Sequence, residues 1–193
     1  MCTFVYMEKY LASFNLLSAA EINYLAGRGQ TKTLKKGAYF IKEGSVCQEV
    51  AFVKSGFFRS FYHNSEGEEI TYCFTFADSF VTAYSSFISQ TKTFENIEAL
   101  TTTTIFTIPR ADIIQLEQTS INWARLFKMM AEQEYMKLEQ RFILFLKESA
   151  EYRYKDLLHK YPEYLQLIPL GYLSSYLGIT QRHLSRIRKS VMN

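Results

Sequence analysis

The chain has 193 residues, of which 48% are hydrophobic and 16% aromatic, and this composition excludes an intrinsically disordered protein. Its length predicts one large domain or two modest ones. The formal net charge of +3 is unevenly distributed, because residues 153–193 carry +5 and the first 152 residues carry −2. A mildly acidic body with a basic C-terminal part is typical of a sensor joined to a domain that binds a polyanion, although a short basic tail also arises by chance.

The three cysteines, Cys2, Cys47 and Cys73, are widely spaced and form neither a CxxC pair nor a zinc-type cluster with histidine. This usage favours a reduced, cytoplasmic protein. The first ten residues lack the basic and apolar regions of a signal peptide, and no run reaches the roughly 18 apolar residues of a membrane span. We therefore expect no metal, no cofactor and no membrane association.

The chain first predicts helix and then changes to β structure. Residues 4–27 have helical spacing, and Ser18–Glu21 fits a capping box. From Thr31 to Pro109, short β-branched and aromatic runs alternate with glycine-containing turns, which is typical of an antiparallel sandwich or barrel. Asn64–Gly67 is typical of a hairpin turn. We expect strands at Thr31–Leu34, Tyr39–Ile41, Glu49–Lys54, Phe57–Tyr62, Glu69–Phe76, Ile97–Leu100 and Thr103–Ile108.

Residues 111–147 predict one long helix with a single apolar seam. The seam side chains recur at steps of three and four residues: Phe127, Ala131, Tyr135, Leu138, Phe142 and Phe145. The seam packs either on the protein's own sheet or on a second copy of the chain. We favour a homodimer, because a helix of this length usually extends beyond one small domain. The expected dimer seam is Phe127, Ala131, Tyr135 and Leu138.

The C-terminal segment fits a helix-turn-helix. Two short helices are expected at Gly171–Leu177 and Gln181–Val191, with Gly178 in the turn and Thr180 as the N-cap of the second helix. The inward-facing side chains are expected to be apolar: Leu173, Leu177, Ile179, Leu184, Ile187 and Val191.

The outer face of the second helix is basic and polar, which indicates DNA binding. Arginine can bind guanine and glutamine can bind adenine through two hydrogen bonds in the major groove. Basic side chains further along the helix are expected to neutralise phosphates, as Arg188 and Lys189 would here. The alternative is a solvated basic helix end that merely complements the helix dipole. The candidate DNA-binding residues are Thr180, Gln181, Arg182, Ser185, Arg186, Arg188 and Lys189.

The order of these parts resembles the Crp/Fnr family of bacterial transcription regulators over nearly the whole chain. Leu34–Gly44 and Phe52–Arg59, followed by Gly67-Glu-Glu-Ile, resemble strands of the family's β-roll. The segment YLSSYLGITQRHLSRIRK is close to the helix-turn-helix of the branch common in Bacteroidetes. The resemblance implies a cyclic-nucleotide-binding-type β-roll, a dimerising central helix and a winged helix-turn-helix.

Two departures from the family pattern modify these expectations. Members that bind cyclic AMP use a Gly-Glu and an Arg-Ser pair, where this chain has Val81-Thr82 and Thr93-Phe94. Since a buried phosphate without arginine is unpaired, we expect no cyclic AMP binding by the family's usual mode. The chain also stops at Asn193, which leaves no room for a full wing. A different small effector is expected to contact Phe80, Val81, Thr82, Tyr84, Thr93 and Phe94, although core packing is the simpler explanation for the aromatic residues among them.

Together these features predict an α+β protein with an antiparallel, jelly-roll-like β-roll and flanking helices. The sensor domain is expected at residues 1–147 and the DNA-binding domain at residues 148–193. The expected partners are double-stranded DNA, a second copy of the chain, RNA polymerase and an unknown effector. The main alternative is a ligand-binding or protein-interaction module whose helix-turn-helix does not bind DNA. A cupin-like metalloenzyme is disfavoured, because His63 is the only histidine in the β region and His159 and His183 lie far from it in sequence.

Overall fold

The computed structural model describes residues 5–192, with side chains described for residues 7–162 and 165–191. Cys2 and Asn193 lie outside the described residues. The helices are α1 (Val5–Ala12), α2 (Ala19–Ala26), α3 (Tyr84–Ser89), α4 (Arg110–Thr119), α5 (Ile121–Lys147), α6 (Ala150–Lys160), α7 (Pro162–Leu165), α8 (Leu170–Leu177) and α9 (Gln181–Met192).

The β structure consists of two four-stranded sheets with antiparallel pairing, and it confirms the predicted α+β class. The strands are β1 (Gln30–Leu34), β2 (Tyr39–Ile41), β3 (Glu49–Ser55), β4 (Phe58–His63), β5 (Glu69–Thr75), β6 (Ser79–Val81), β7 (Asn96–Ala99) and β8 (Thr103–Pro109). The strand order is β1-β8-β3-β6 in one sheet and β2-β7-β4-β5 in the other. Since consecutive strands often lie in different sheets, the chain winds as a roll.

The chain divides into two compact units. Unit 1 contains residues 1–62 and 74–131, so it holds most of both sheets. Unit 2 contains His63–Cys73 and residues 132–193, so the tip of the β4–β5 hairpin belongs with the C-terminal helices. This division differs from the sequence-based boundary at residues 147 and 148.

Two hydrophobic clusters stabilise unit 1. One is enclosed by the strands and includes Val53, Phe58 and Ile97. The other lies where β3 and β8 meet the helices and includes Phe52 and Trp123, both at most 1% exposed. Because side chains alternate along a strand, the neighbours Phe52 and Val53 enter different clusters.

The predicted capping box of α2 is confirmed, because Glu21 N donates to Ser18 Oγ at 3.2 Å and Ser18 N donates to Glu21 Oε2 at 2.8 Å. The backbone hydrogen bond from Ser18 lowers the pKa of the Glu21 carboxyl. The segment 4–27, predicted to be helical, forms the two helices α1 and α2, and Asn15 lies between them with a φ of 55°.

The prediction of one helix over 111–147 was also wrong in part. Ser120 is extended, with φ −151° and ψ 134°, and it separates α4 from α5. Its carbonyl accepts from Trp123 N at 3.1 Å, and its hydroxyl accepts from Asn122 N at 3.2 Å. Serine provides such local bonds readily, which is why it favours helix ends over helix interiors.

Candidate nucleic-acid interface

The helix-turn-helix forms within unit 2 as helices α8 and α9, within one or two residues of the predicted bounds. Of the six residues expected to face inward, Leu173, Leu177, Leu184 and Ile187 are at most 4% exposed, whereas Ile179 and Val191 are half-buried. Gly178 lies in the left-handed region with a φ of 67°, where its N–H caps α8 by donating to Ser175 O at 3.0 Å. Glycine adopts this conformation without the steric cost that a side chain adds.

Thr180 begins α9 in the expected capping role. Its hydroxyl accepts from His183 N at 3.2 Å, and its carbonyl accepts from Leu184 N at 3.0 Å. Both oxygens of Thr180 therefore accept hydrogen bonds from α9. The residue is exposed and lies at the N-terminal end of the outward face of this helix.

The outward face of α9 presents three cations at the spacing of one helical face. Arg182, Arg186 and Lys189 are exposed, and Ser185 is half-buried beside them. His183 is also exposed and was not among the predicted DNA-binding residues. Helix α9 contains no acidic residue, so no carboxylate on the same helix offsets its positive charge.

Two of the predicted DNA-binding residues are placed differently from the rest. Arg188 is half-buried at the edge of the inward face. Gln181 is exposed, but a Cβ added at Gly171 would lie 3.3 Å from its Nε2, so its amide rests against α8. The outward face of α9 therefore brings together Arg182, Ser185, Arg186 and Lys189. Gln181 and Arg188 lie at the edges of this face.

The end of α5 is fixed to the turn of the helix-turn-helix by one arginine. The Arg153 guanidinium donates to Phe145 O at 3.1 Å, to Glu148 O at 2.7 Å and to Leu177 O at 2.9 Å. It also lies 4.6 Å from the centroid of the Phe145 ring. Burial lowers the pKa of Arg153. Arg153 is part of the basic C-terminal segment in the sequence, but in the structure it binds main-chain carbonyls.

The predicted effector residues do not converge on one cavity. Phe80 packs in the core with its ring centroid 5.1 Å from that of Phe52, as the core-packing alternative expects. Val81 is buried, and Thr82 Oγ1 donates to Glu49 O at 3.1 Å. Thr93 is buried, and its N–H donates to Ser45 O at 2.8 Å. The other two residues are exposed: Tyr84 at 52% and Phe94 at 68%.

A cavity of about 610 Å³ does occur in unit 1, at a different place. It is lined by residues between Tyr39 and Glu49 together with Pro109, and by none of the six predicted effector residues. Among the residues with described side chains, no group of three or more His, Cys, Asp or Glu is placed to hold a metal ion. Within the described part of the chain, no helix is both long and apolar enough to cross a membrane.

Unit 1 also contains a buried cation that the sequence analysis missed. Arg59 on β4 is 1% exposed, and its guanidinium lies 4.1 Å from the centroid of the Phe61 ring. Glu98 on β7 is its cross-strand neighbour in the antiparallel register. The available signal was an arginine inside the apolar run Phe57–Phe61, since an arginine is rarely fully buried unless it is paired.

Residues 31–120 match the family model for the cyclic nucleotide-binding domain. This segment is similar to the cyclic nucleotide-binding domain. It spans the strands β1–β8, apart from Gln30, together with α3 and α4, so the family domain corresponds to the roll and the helices beside it. The sequence matches no curated protein.

Solved structures similar to this chain extend beyond the cyclic nucleotide-binding domain. FixK2 from Bradyrhizobium japonicum has a TM-score of 0.74 at 17% identity, covering 85% of this chain and 84% of its own. A putative Crp/Fnr-family transcriptional regulator from Eubacterium rectale has a TM-score of 0.72 at 20% identity, covering 95% and 88%. The c-di-GMP-responsive regulator CLP from Xanthomonas campestris has a TM-score of 0.70 at 13% identity, covering 91% and 92%.

These matches confirm the predicted resemblance at the level of the domain family and the fold. The cyclic nucleotide-binding domain is followed by a long helix and further helices, as in the solved Crp/Fnr regulators. Assignment to the branch common in Bacteroidetes stays a prediction.

Proposed function

We propose that this protein is a homodimeric, sequence-specific DNA-binding transcription regulator of Crp/Fnr type, and not an enzyme. The observation that carries the proposal is the outward face of α9, where Arg182, Arg186 and Lys189 are exposed on a helix without acidic residues. Cations at the start of a recognition helix contact base edges, and those further along contact phosphates. Helix α9 in unit 2 thus provides the side chains that bind DNA. The domain that resembles the cyclic nucleotide-binding domain senses a small effector other than cyclic AMP.

A second copy of the chain is the proposed protein partner. In the second half of α5, Tyr135, Leu138 and Phe142 are 65%, 60% and 60% exposed, at steps of three and four residues. An apolar stripe of this spacing is typical of a helix that packs on another helix. Phe127 and Met130, in the first half, instead pack on the core of unit 1. Of the predicted seam, Tyr135 and Leu138 therefore remain the better candidates for the contact between copies.

DNA binding is tested first by selecting binding sites from random duplexes with the purified protein. Fluorescence anisotropy on the selected duplex then gives Kd over a range of salt concentrations. We expect log Kd to change linearly and steeply with log salt concentration, because bound phosphates release counterions. Arg186→Ala is expected to weaken binding about tenfold or more, since a base-contacting arginine contributes about 1–3 kcal/mol.

The matched control is Arg125→Ala, which removes an exposed arginine from α5 in unit 1. It is expected to leave Kd unchanged. If no duplex is selected, or if binding is insensitive to salt, the helix-turn-helix does not read DNA and the protein-contact alternative takes its place.

The dimer is tested by light scattering on Leu138→Glu. A carboxylate in the centre of the apolar stripe is expected to give a monomer, because burying an unpaired charge is costly. Gln140→Glu adds a charge at an exposed position two residues away on another side of α5 and is expected to stay dimeric. A wild-type chain that is monomeric at all concentrations would remove the dimer from the proposal.

A further inference from the structure

Helix α8 binds the backbone of β5 through a single serine. Thr71 N donates to Ser175 Oγ at 2.9 Å, and Ser175 Oγ donates to Glu69 O at 3.3 Å. Both strand groups belong to unit 2 together with α8. One hydroxyl thus acts as both acceptor and donor for alternate residues of one strand.

Arg141 on α5 adds a second contact to the same strand. Its guanidinium donates to Tyr72 O and lies 4.1 Å from the centroid of the Tyr176 ring, next to Ser175 on α8. Burial raises the pKa of Tyr176, which is consistent with an enclosed ring. Arg141 therefore joins β5 and α8 from α5.

The contacts of Ser175 lie at the edge of a sheet. Among the described strands, β5 is the last in the order β2-β7-β4-β5. Thr71 is 2% exposed, and a buried N–H without a partner costs free energy comparable to a lost hydrogen bond. At this edge, Ser175 binds the N–H of Thr71 and the carbonyl of Glu69 in the way that a neighbouring strand would.

The turn of the β4–β5 hairpin is held by several internal hydrogen bonds, so a contact with β5 restrains the whole tip of the hairpin. Asn64 Oδ1 accepts from Glu66 N and from Glu68 N, each at 2.9 Å, and Gly67 N donates to Asn64 O at 3.0 Å. The strands β4 and β5 then continue along the chain into the sheet that contains β2 and β7.

We propose that Ser175 and Arg141 are positioning residues that form a latch between the β4–β5 hairpin and α8. Through this latch, the tip of the hairpin restrains the orientation of α8 and of the helix α9 that follows it within unit 2. The effect on DNA affinity rests on the proposed function, whereas the restraint on the two helices does not.

The latch is expected to favour DNA binding. A restrained α8 holds α9 in one arrangement before DNA arrives, whereas a released α8 samples arrangements that do not bind. The apparent Kd then rises by the inverse of the fraction that is competent to bind. Opening the latch therefore weakens binding without changing which residues contact phosphate.

The experiment compares the wild-type chain with Ser175→Ala, Ser175→Thr and Ser89→Ala. Ser89 Oγ donates to Ser85 O at 2.8 Å in unit 1, so its loss removes a similar hydroxyl bond away from the latch. Amide hydrogen exchange is followed at Thr71, Leu184 and Ile187, and Kd is measured on the selected duplex at several salt concentrations.

Ser175→Ala is expected to accelerate exchange at Thr71 and in α9 and to weaken DNA binding about three- to tenfold, with the salt slope unchanged. Ser175→Thr keeps the hydroxyl and is expected to restore both values, and Ser89→Ala to change neither. Arg141→Gln repeats the test on the second contact, with Arg125→Gln as its charge-matched control.

Three outcomes would overturn the latch. Exchange could accelerate at Thr71 alone, which would leave α9 independent of the hairpin. DNA affinity could stay unchanged while α9 exchange accelerates, which would remove the positioning role. A reduced salt slope in Ser175→Ala would make Ser175 a phosphate contact instead. Absence of DNA binding by the wild-type chain would contradict the proposed function, and the exchange rates would still decide whether the latch exists.

Discussion

The guanidinium of Arg153 and the carbonyl of Leu177 are joined by a hydrogen bond of 2.9 Å, which ties the start of α6 to the last residue of α8. The same guanidinium binds two carbonyls at the end of α5. Three helices of unit 2 thus meet at one cation, and the carbonyls at two helix ends find a donor there.

Arg153→Met tests this junction by keeping an unbranched apolar stem and removing the donors. We expect the free energy of unfolding of unit 2 to fall by about 2 kcal/mol, because hydrogen bonds to a charged group are stronger than neutral ones. The change is measured by urea denaturation, monitored by a spectroscopic signal that reports on unit 2. Arg125→Met, on the exposed side of α5 in unit 1, is expected to have little effect. An equal loss in both variants would contradict the role of Arg153.

Gly178→Ala, compared with Gly67→Ala, tests whether the turn requires glycine for its positive φ alone or also for the space beside Phe145. A methyl group there is strained by the φ of 67° and would also lie 2.7 Å from Phe145 Cε2. Gly67, with a φ of 80°, has no atom within 4 Å of an added Cβ, so Gly67→Ala tests the strain alone. We expect a loss of about 1 kcal/mol for Gly67→Ala and about 2–4 kcal/mol for Gly178→Ala.

Thermal unfolding of both glycine variants provides the measurement. Similar losses would mean that Phe145 moves away freely and contributes little to the turn. In that case, DNA binding by Gly178→Ala should also stay near the wild-type value.

The capping box of α2 predicts a dependence of stability on pH. The backbone hydrogen bond from Ser18 lowers the pKa of the Glu21 carboxyl below its ordinary value of about 4.5. The carboxylate therefore stabilises the folded state above about pH 4.5, and this contribution is lost as the pH falls through the lowered folded pKa. Urea titrations between about pH 3 and pH 6 measure it.

Glu21→Gln is expected to remove that part of the pH dependence, while Ser18→Ala is expected to cost about 1 kcal/mol at neutral pH. Glu117→Gln provides the control, because this residue is exposed on α4. A pH profile that is unchanged in Glu21→Gln would contradict the assignment.

Cyclic AMP is expected to leave the melting temperature unchanged. Thr93 occupies the position where the family resemblance implies an arginine, and its N–H and carbonyl are bound to Ser45 and Gly44. A ligand at about 100 times its Kd adds about 2.7 kcal/mol to the free energy of unfolding, which a thermal shift detects easily. A clear rise in melting temperature with cyclic AMP, but not with adenosine, would show that the phosphate is bound without this arginine.

Much of the fold could be predicted because its signals are local. Short β-branched and aromatic runs between turn residues predicted the strand at Tyr39–Ile41 and most of β3, β4, β5 and β8, and Gly178 marked the turn of the helix-turn-helix. The three-residue strand β6 and the six-residue helix α3 were missed. Each is too short for a period to be recognised, and the N-cap residue of α3 is Ala83, whose side chain forms no capping hydrogen bond.

The contacts that organise unit 2 could not be predicted from the sequence. Ser175 and Thr71 are 104 residues apart, and Arg141 and Tyr72 are 69 residues apart. Their partners are main-chain atoms, which every residue carries, so no residue type at 69, 71 or 72 indicates the contact. The same holds for Arg153, whose three acceptors are also main-chain carbonyls.

The main-chain nature of the contacts to β5 has an evolutionary consequence. Because Ser175 binds only the N–H of Thr71 and the carbonyl of Glu69, side chains at these strand positions can be replaced without loss of the bonds. Pairs of positions linked in this way need not covary among related sequences. Residue covariation would therefore overlook this connection, and only the requirement for a hydroxyl at 175 and a guanidinium at 141 would record it.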